Sequence, residues 1–201
     1  DLVALGVREA DIEIVENGVD PVPADTPVLH DDQRLHLVTL SRLVPHKRIE
    51  EAIDTVAGMD GAVLDVIGSG WWEDQLREYA APHGDKVVFH GHVSEPYKHA
   101  LLERAAVHLL PSRKEGWGIA VIEAAQHGVP TVAYASAGGV ADSIRDGETG
   151  RLVQPDEEFG EVVGETLGRR EAMAPAARAW AARFSWAETG RKFAKVIGAL
   201  N

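Results

Sequence analysis

The sequence of 201 residues contains no cysteine. Disulfides, thiolate metal sites and cysteine nucleophiles are therefore excluded. Long apolar runs are also missing, because a run such as residues 105–111 is far shorter than the roughly 20 residues that a membrane-spanning helix needs. The composition is 45% hydrophobic and 26% charged residues. These fractions are ordinary for one globular domain with a hydrophobic core.

Positive charge is scarce. The chain has 20 Lys and Arg residues against 32 Asp and Glu residues, which gives a formal net charge of -12. Such a chain repels nucleic-acid phosphates at long range, so we expect no nucleic-acid partner. An anionic ligand would need a local cationic pocket. The chain begins with Asp1, and residues 1–7 have neither the basic start nor the apolar stretch of a signal peptide. We expect a cytoplasmic protein without a transmembrane segment, and read the start as an internal cut.

Apolar, β-rich segments alternate with segments of helical period, and turn signals lie between them. This alternation is typical of a parallel sheet with crossover helices. We predict an α/β fold with a doubly wound, Rossmann-like parallel sheet and C-terminal helices. The predicted strands are residues 12–15, 35–40, 62–67, 87–90, 107–110, 131–135 and 151–153.

The predicted helices lie between these strands and beyond them. They are residues 48–57, 72–80, 97–103, 118–127 and 139–145, and, after Pro155, residues 157–169, 171–183 and 186–200. We divide the chain into a leading segment with an extended connector (1–30), a sheet domain (31–185) and a C-terminal helix (186–201).

Two cations follow the strand at residues 35–40. Arg42 and Lys47 lie in the loop that leads into the next helix, at the carboxyl edge of the sheet, where ligands bind in open α/β folds. A guanidinium and an ammonium group five residues apart can converge on one diphosphate. A solvated basic turn is the alternative.

A glycine-rich turn, Gly68-Ser69-Gly70, follows the strand at residues 62–67. Such a turn before a helix lets an anion approach the backbone. It lacks the third glycine of the dinucleotide fingerprint, which counts against a nicotinamide site. A tight turn needed only for chain geometry explains it equally well.

Two glutamates flank the start of the helix predicted at residues 118–127. Glu115 lies in the preceding loop, and Glu123 lies about one and a half turns into the helix. Carboxylates accept hydrogen bonds from hydroxyl groups, and free amides at a helix start donate to phosphate oxygens. The pattern fits a phosphorylated polyhydroxyl ligand, although two solvent-facing glutamates would give the same pattern.

Several motifs occur together along the chain. They are Arg42 with Lys47, Glu115 with Glu123, residues 16–20 (Glu-Asn-Gly-Val-Asp), residues 138–139 (Gly-Gly) with 146–150 (Asp-Gly-Glu-Thr-Gly), and residues 184–186 (Phe-Ser-Trp). Their joint order and spacing resemble glycosyltransferase family 4, and the resemblance covers roughly residues 12–200. This resemblance implies the C-terminal, donor-binding half of a retaining, hexosyltransferase-type enzyme with the two-domain GT-B fold.

The resemblance also implies roles for individual side chains. Arg42 and Lys47 would bind the donor diphosphate and stabilise it as the leaving group, which makes these two residues and Glu115 the catalytic candidates. Glu115 would hold hydroxyls of the transferred sugar, and Glu123 would hold the ribose hydroxyls. Ser41, where glycine is usual, is one departure from the family pattern. Others are Trp117 in place of the more usual phenylalanine and Asp142 in place of a glutamate.

Backbone atoms would complete the site. By the same resemblance, Gly118, Ile119 and Ala120 would cap the phosphate, and the turn Gly91-His92-Val93 would contact the nucleobase. The donor would be a UDP- or GDP-linked sugar, and no other cofactor is expected.

The resemblance further implies partners and a metal-independent reaction. Residues 31–185 would form the nucleotide-sugar-binding domain, and the helix at 186–201 would pack back on an N-terminal domain that is missing from this chain. The acceptor is unknown, and we expect the isolated chain to be inactive in transfer. No Asp-x-Asp pair occurs, which agrees with a site without metal.

Other interpretations remain open. A non-catalytic nucleotide-binding module, a sugar-nucleotide epimerase or an α-glucan phosphorylase would share much of this pattern, and a nicotinamide oxidoreductase is a more distant alternative. His90 and His92 could ligate a metal, or they could be polar residues at a strand end. The aromatic residues near the C-terminus fit core packing or a surface that another domain covers. These are Trp180, Phe184, Trp186 and Phe193.

Overall fold

The computed structural model describes residues 2–30 and 32–198. The chain divides into two compact units, one of Asp1–Pro21 with Arg183–Asn201 and one of Val22–Ala182. Within the described residues no helix combines the length and the apolar character that crossing a membrane requires.

The larger unit contains a six-stranded parallel sheet, which confirms the predicted fold class. Its strands, in chain order, are β1 (Leu35–Leu40), β2 (Ala62–Ile67), β3 (Val87–Gly91), β4 (Val107–Leu110), β5 (Thr131–Tyr134) and β6 (Gly150–Val153). They lie side by side in the order β3-β2-β1-β4-β5-β6. The order reverses between β1 and β4, and such a switch point opens a crevice for ligands at the carboxyl edge.

Helices cover both faces of the sheet. They are α1 (Ile49–Ala57), α2 (Glu73–Ala80), α3 (Glu95–Arg104), α4 (Ile119–Gln126), α5 (Val140–Ser143) and α6 (Phe159–Ala181). Apolar residues of α1, α2 and α6 form one core cluster with the sheet, and residues of α3 and α4 form a second cluster around Val38 and Ile67. The central strands are buried along their length because both faces are covered, which explains their largely apolar sequences.

Two predictions of secondary structure were wrong. Residues 12–15 form no strand, because they have no neighbouring strand to pair with and Ile14 is exposed. The helices predicted at 157–169 and 171–183 are one helix, α6, which contains Pro175. Proline removes a backbone donor and normally ends a helix. Burial of Met173 and Ala177 on either side of Pro175 holds this helix together.

The smaller unit contains α7 (Trp186–Gly198) and a short 3-10 helix (Glu9–Asp11). Val19 and Ser185 form an isolated parallel bridge, and Lys192 Nζ donates to Glu16 Oε2 at 2.5 Å. Predicted helical residues 199–200 and the terminal residue 201 lie outside the described residues. The side chains of Trp186 and Phe193 are exposed on α7, so core packing does not account for these two aromatic residues.

Candidate functional site

The loops after β1 and β4 meet at the switch point of the sheet. The loop after β1 makes a short 3-10 turn, Pro45–Lys47, before α1 begins. The amide of Arg113, in the loop after β4, donates to the carbonyl of His46 at 2.9 Å. This hydrogen bond ties the two predicted ligand-binding loops together because β1 and β4 are adjacent in the sheet.

Lys47 and Glu115 form an ion pair across these loops. Lys47 Nζ donates to Glu115 Oε1 at 2.6 Å, and the two side chains are 13% and 9% exposed. The amide of Glu115 donates to the carbonyl of Ala137 at 2.6 Å, which fixes its backbone from a third loop. The structure thus brings together a cation and a carboxylate that lie 68 positions apart in the chain.

Arg42 lies in the same loop as Lys47 and is exposed. Within residues 2–30 and 32–198 its guanidinium makes no hydrogen bond or ion pair with another side chain. All five of its N–H donors are therefore available to a ligand at this edge.

The start of α4 adds backbone donors to the site. Gly118 precedes the helix with a φ of 87°, a conformation that glycine adopts without strain, and no side chain in the described part of the chain caps the helix start. The amides of Ile119 and Ala120 belong to the first turn and have no acceptor within the helix. They are thus suited to an anionic group, and phosphate binding by this segment stays a prediction.

Glu123 is held by a different lysine. Lys98 of α3 donates to Glu123 Oε1 and to Glu95 Oε2, both at 2.6 Å. Burial lowers the pKa of the Lys98 ammonium, but the hydrogen bonds to the two carboxylates outweigh burial and raise the pKa above its usual value. Lys98 was missed by sequence reasoning. Its spacing of three residues from Glu95 allows a local pair on one helix, and no local sequence pattern connects it with Glu123.

The predicted nucleobase turn follows β3. Val93 is half-buried and packs against the core cluster on the α3 face, so its backbone is the part left for a ligand. Gly91 accepts a hydrogen bond from the amide of Gly68 at 2.9 Å. The turn is therefore held to the neighbouring loop after β2.

The glycines of the loop after β2 serve chain packing. A Cβ atom at Gly68 would lie 2.0 Å from the carbonyl oxygen of Ser41, and one at Gly70 would lie 2.1 Å from that of Leu43. Any larger residue at either position would push the Arg42 loop away. The interpretation as a turn needed for chain geometry therefore accounts for both glycines.

His90 takes part in a buried polar network rather than standing free at a strand end. Its Nε2 lies 2.7 Å from Asp65 Oδ1, and His36 Nδ1 lies 2.8 Å from Asp65 Oδ2. Burial raises the pKa of Asp65, but hydrogen bonds from His36 and His90 and the charge of Arg104 outweigh burial and lower the pKa to about 2. Among the described residues no group of three or more His, Asp or Glu side chains could hold a metal ion.

A buried histidine lies beneath the ion pair. His108 of β4 is fully buried and places Nδ1 3.0 Å from Thr131 Oγ1. Burial lowers the pKa of His108 to about 3, and the nearby charge of Lys47 contributes to this shift. The imidazole is therefore neutral at physiological pH, and the positive charge here belongs to Lys47.

The sequence model of the family described as Glycosyl transferases group 1 matches residues 25–180. The chain belongs to this family. The matched residues include β1 to β6 and every predicted site residue.

Relatives of this glycosyl transferase chain include a GDP-mannose-dependent alpha-(1-6)-phosphatidylinositol monomannoside mannosyltransferase of Mycobacterium tuberculosis, 32% identical over 94% of the chain and 56% of that protein. A GDP-mannose-dependent monoacylated alpha-(1-6)-phosphatidylinositol monomannoside mannosyltransferase of Corynebacterium glutamicum is 31% identical over 78% of the chain and 45% of that protein. Glycogen synthase of M. tuberculosis is 29% identical over 75% of the chain and 38% of that protein. The chain spans about half the length of the mannosyltransferases that it matches.

Solved structures of glycosyltransferases share the fold. The lipopolysaccharide outer core galactosyltransferase WaaB in its apo form has a TM-score of 0.77 and 23% identity, over 100% of this chain and 59% of that chain. Anabaena HepE in complex with UDP has a TM-score of 0.72 and 24% identity, over 83% of this chain and 49% of that chain. These likenesses show that the six-stranded unit shares a Rossmann-like fold with WaaB and HepE.

Proposed function

We propose that this chain binds a nucleoside-diphosphate sugar at the carboxyl edge of its sheet and forms the donor half of a retaining hexosyltransferase. The observation that carries the proposal is the Lys47–Glu115 pair at the switch point. The pair occurs in a chain of the glycosyl transferase group 1 family. The exposed Arg42 lies in the same loop as Lys47, and the amide-rich start of α4 follows the loop of Glu115.

The chemistry assigned to the site is electrostatic. Arg42, Lys47 and the first-turn amides of α4 would face the diphosphate, whose negative charge increases as the glycosidic bond breaks. Fixed donors aimed at developing charge lower such a barrier. Glu115 pairs with Lys47, and with a donor bound its second oxygen would accept hydrogen bonds from hydroxyls of the sugar.

The nucleobase we propose is guanine and the sugar mannose. Relatives from two genera that are more than 30% identical over at least three quarters of the chain are named as GDP-mannose-dependent mannosyltransferases. The structural neighbours bound to UDP are under 25% identical, and the glycogen synthase match is shorter. These arguments favour GDP-mannose over UDP- or ADP-linked glucose.

Titration calorimetry of this chain tests the donor site. GDP-mannose, UDP-glucose and ADP-glucose are each titrated in the presence of a chelator, and GDP-mannose should bind tightest. Arg42→Ala and Lys47→Ala should each weaken that binding more than tenfold, since a charge-assisted hydrogen bond contributes about 1.5–3 kcal/mol. Arg169→Ala, an exposed residue of α6, is the matched control and should bind as the unchanged chain does.

Two outcomes contradict the proposal at different levels. Binding that requires a divalent ion would contradict the metal-independent site, and equal binding by the two site variants would contradict the assignment of Arg42 and Lys47. Retention is tested separately with the whole protein. NMR of the product should show the same anomeric configuration as the donor. An inverted configuration would overturn the proposal of a retaining reaction.

A further inference from the structure

A cavity lies at the amino edge of the sheet, where the strands begin. This cleft has a volume of about 330 Å³, and its walls come from the start of β1, the ends of α3 and α4 and the second half of α6. In a parallel sheet the strands all begin at one edge, so the cleft faces away from the Lys47 loop. A strand of six residues separates the two edges by about 20 Å at ~3.3 Å per residue.

Three arginines of this amino-edge cleft keep unused donors. Arg104 gives Nη2 to Asp65, at 3.1 and 3.0 Å from its two carboxylate oxygens, and its Nε is buried without a hydrogen-bond partner among the described residues. Arg178 gives Nη2 to the carbonyl of His127 at 2.7 Å. Arg170 gives Nη1 to the carbonyl of Leu167 at 2.9 Å. Because a guanidinium has five N–H donors, each retains donors with no acceptor among residues 2–30 and 32–198.

Two of these guanidinium groups are held in place by the fold. Asp65, which is 1% exposed, holds Arg104 from inside the sheet. Arg178 packs against Gly128, where a Cβ atom would lie only 2.6 Å from Arg178 Cζ. A ligand that uses them would lose little side-chain entropy on binding, because the donors are already ordered.

Arg104 is paired with the buried Asp65. In the described part of the chain no carboxylate pairs with Arg178, and only an exposed one approaches Arg170. Arg34 also lines the cleft, but Asp32 and Asp85 occupy its donors. Glu171 lies 3.7 Å from Arg170 with a side chain that is 90% exposed, and Glu103 is exposed as well. Solvent screens exposed carboxylates and leaves them free to turn away. In a chain with a formal net charge of -12, Arg170 and Arg178 therefore give the cleft a local positive charge.

We propose that the amino-edge cleft binds a small phosphorylated molecule through Arg104, Arg170 and Arg178. Guanidinium groups fork two oxygens of a phosphate at once, and the three that line this cleft come from two helices. The cleft has the size of the smallest ligand pockets, at about 300 Å³, so it suits a phosphate monoester of a sugar rather than a macromolecule. This site is independent of the donor site.

Calorimetry on a chain carrying Arg42→Ala with Lys47→Ala tests the cleft without interference from the donor site. Glucose 6-phosphate and inorganic phosphate are the probes, with malonate as a carboxylate of similar charge. Both phosphates should bind, and malonate should bind at least tenfold more weakly. Adding Arg170→Gln with Arg178→Gln should weaken glucose 6-phosphate binding more than tenfold, whereas Arg169→Gln, one position outside the cleft, should leave it unchanged.

Arg178→Gln removes the group that covers Gly128 and so carries a risk for folding. Arg170→Gln alone is the safer variant, because this side chain is 42% exposed, and it should weaken glucose 6-phosphate binding severalfold in a chain with unchanged circular dichroism. Equal binding of malonate would overturn the assignment to phosphate. Phosphate binding that none of the cleft variants alters, or no phosphate binding at all, would overturn the site.

Discussion

At the scale of single residues, the two candidate carboxylates have separate lysines. Glu115 is paired with Lys47 of the loop after β1, and Glu123 is paired with Lys98 of α3. The sequence placed both glutamates near one helix start, and the structure pairs each with its own lysine. Different partners support different tasks, one with Lys47, which is proposed to bind the diphosphate, and one with Lys98 of α3, the helix that follows the turn proposed to hold the nucleobase.

This arrangement leads to a prediction about the two glutamates. Glu123→Gln should weaken binding of bare GDP severalfold or more, because a carboxylate proposed to hold the ribose hydroxyls loses its charge. Glu115→Gln should leave GDP binding nearly unchanged and reduce the preference for GDP-mannose over other GDP-sugars. Calorimetry with GDP and with two GDP-sugars checks both effects. The opposite pattern would show that the two roles are exchanged.

At the scale of elements, Asp65 links three strands and a helix. Its carboxylate on β2 contacts His36 of β1, His90 of β3 and Arg104 of α3. Such a buried carboxylate is balanced by its partners, and removing its charge leaves them uncompensated. Asp65→Asn should therefore lower the free energy of unfolding at pH 7 by about 3–5 kcal/mol.

The pH dependence of this effect has a definite sign. The pKa of Asp65 falls from its ordinary value of 3.8 to about 2 on folding. The stabilisation is therefore complete well above pH 3.8 and is lost as the pH falls through about 2. Urea unfolding from pH 7 to pH 2 should show the difference between Asp65→Asn and the unchanged chain shrink below pH 4. Asp85→Asn, with a side chain that is 92% exposed, should cost less than about 1 kcal/mol at every pH.

The start of α4 gives a second prediction at this scale. Gly118→Ala places a Cβ on a residue with a φ of 87°, 3.1 Å from Val121 Cγ2. We expect a loss of about 1–2 kcal/mol in stability and weaker GDP binding, because the first-turn amides would move. Gly164→Ala on α6 is the control, since its added methyl group would have open space around it within the described structure. It should stabilise the chain slightly, and equal effects of both substitutions on GDP binding would argue against a role for the α4 amides.

At the scale of the whole molecule, the chain should bind nucleotide but transfer no sugar by itself. It spans 56% of a mannosyltransferase relative, and we place the acceptor site in the part of the whole protein outside these residues. Holding donor and acceptor together accounts for about 7–11 kcal/mol of a barrier, which a chain that binds only the donor would not supply. The measurement compares transfer of a radioactive sugar by this chain and by the whole protein under the same conditions. Only the whole protein should transfer the sugar. Thermal shift with GDP confirms that the chain is folded, and multiple turnovers by the chain alone would move the acceptor site into it.

The sequence by itself determined the sheet and the order of the site motifs. Buried parallel strands are continuously apolar and lie between helices, so β1 to β6 were found within one residue or two of their bounds. The elements that failed lack such local signals. Residues 12–15 have the composition of a strand without a neighbouring strand, and α6 continues through Pro175 because packing outweighs the local preference of proline.

Only the tertiary structure decided which side chains meet. The contacts Lys47–Glu115 and Lys98–Glu123 join residues 68 and 25 positions apart, and their formation depends on strand order and helix packing. The same holds for Asp65 with its two histidines, and for the arginines of the amino-edge cleft. Arg104 lies on α3 and Arg178 on α6, and neither residue belongs to a motif singled out from the sequence. Their convergence results from the way α3 and α6 pack at one edge of the sheet, which no local sequence period encodes.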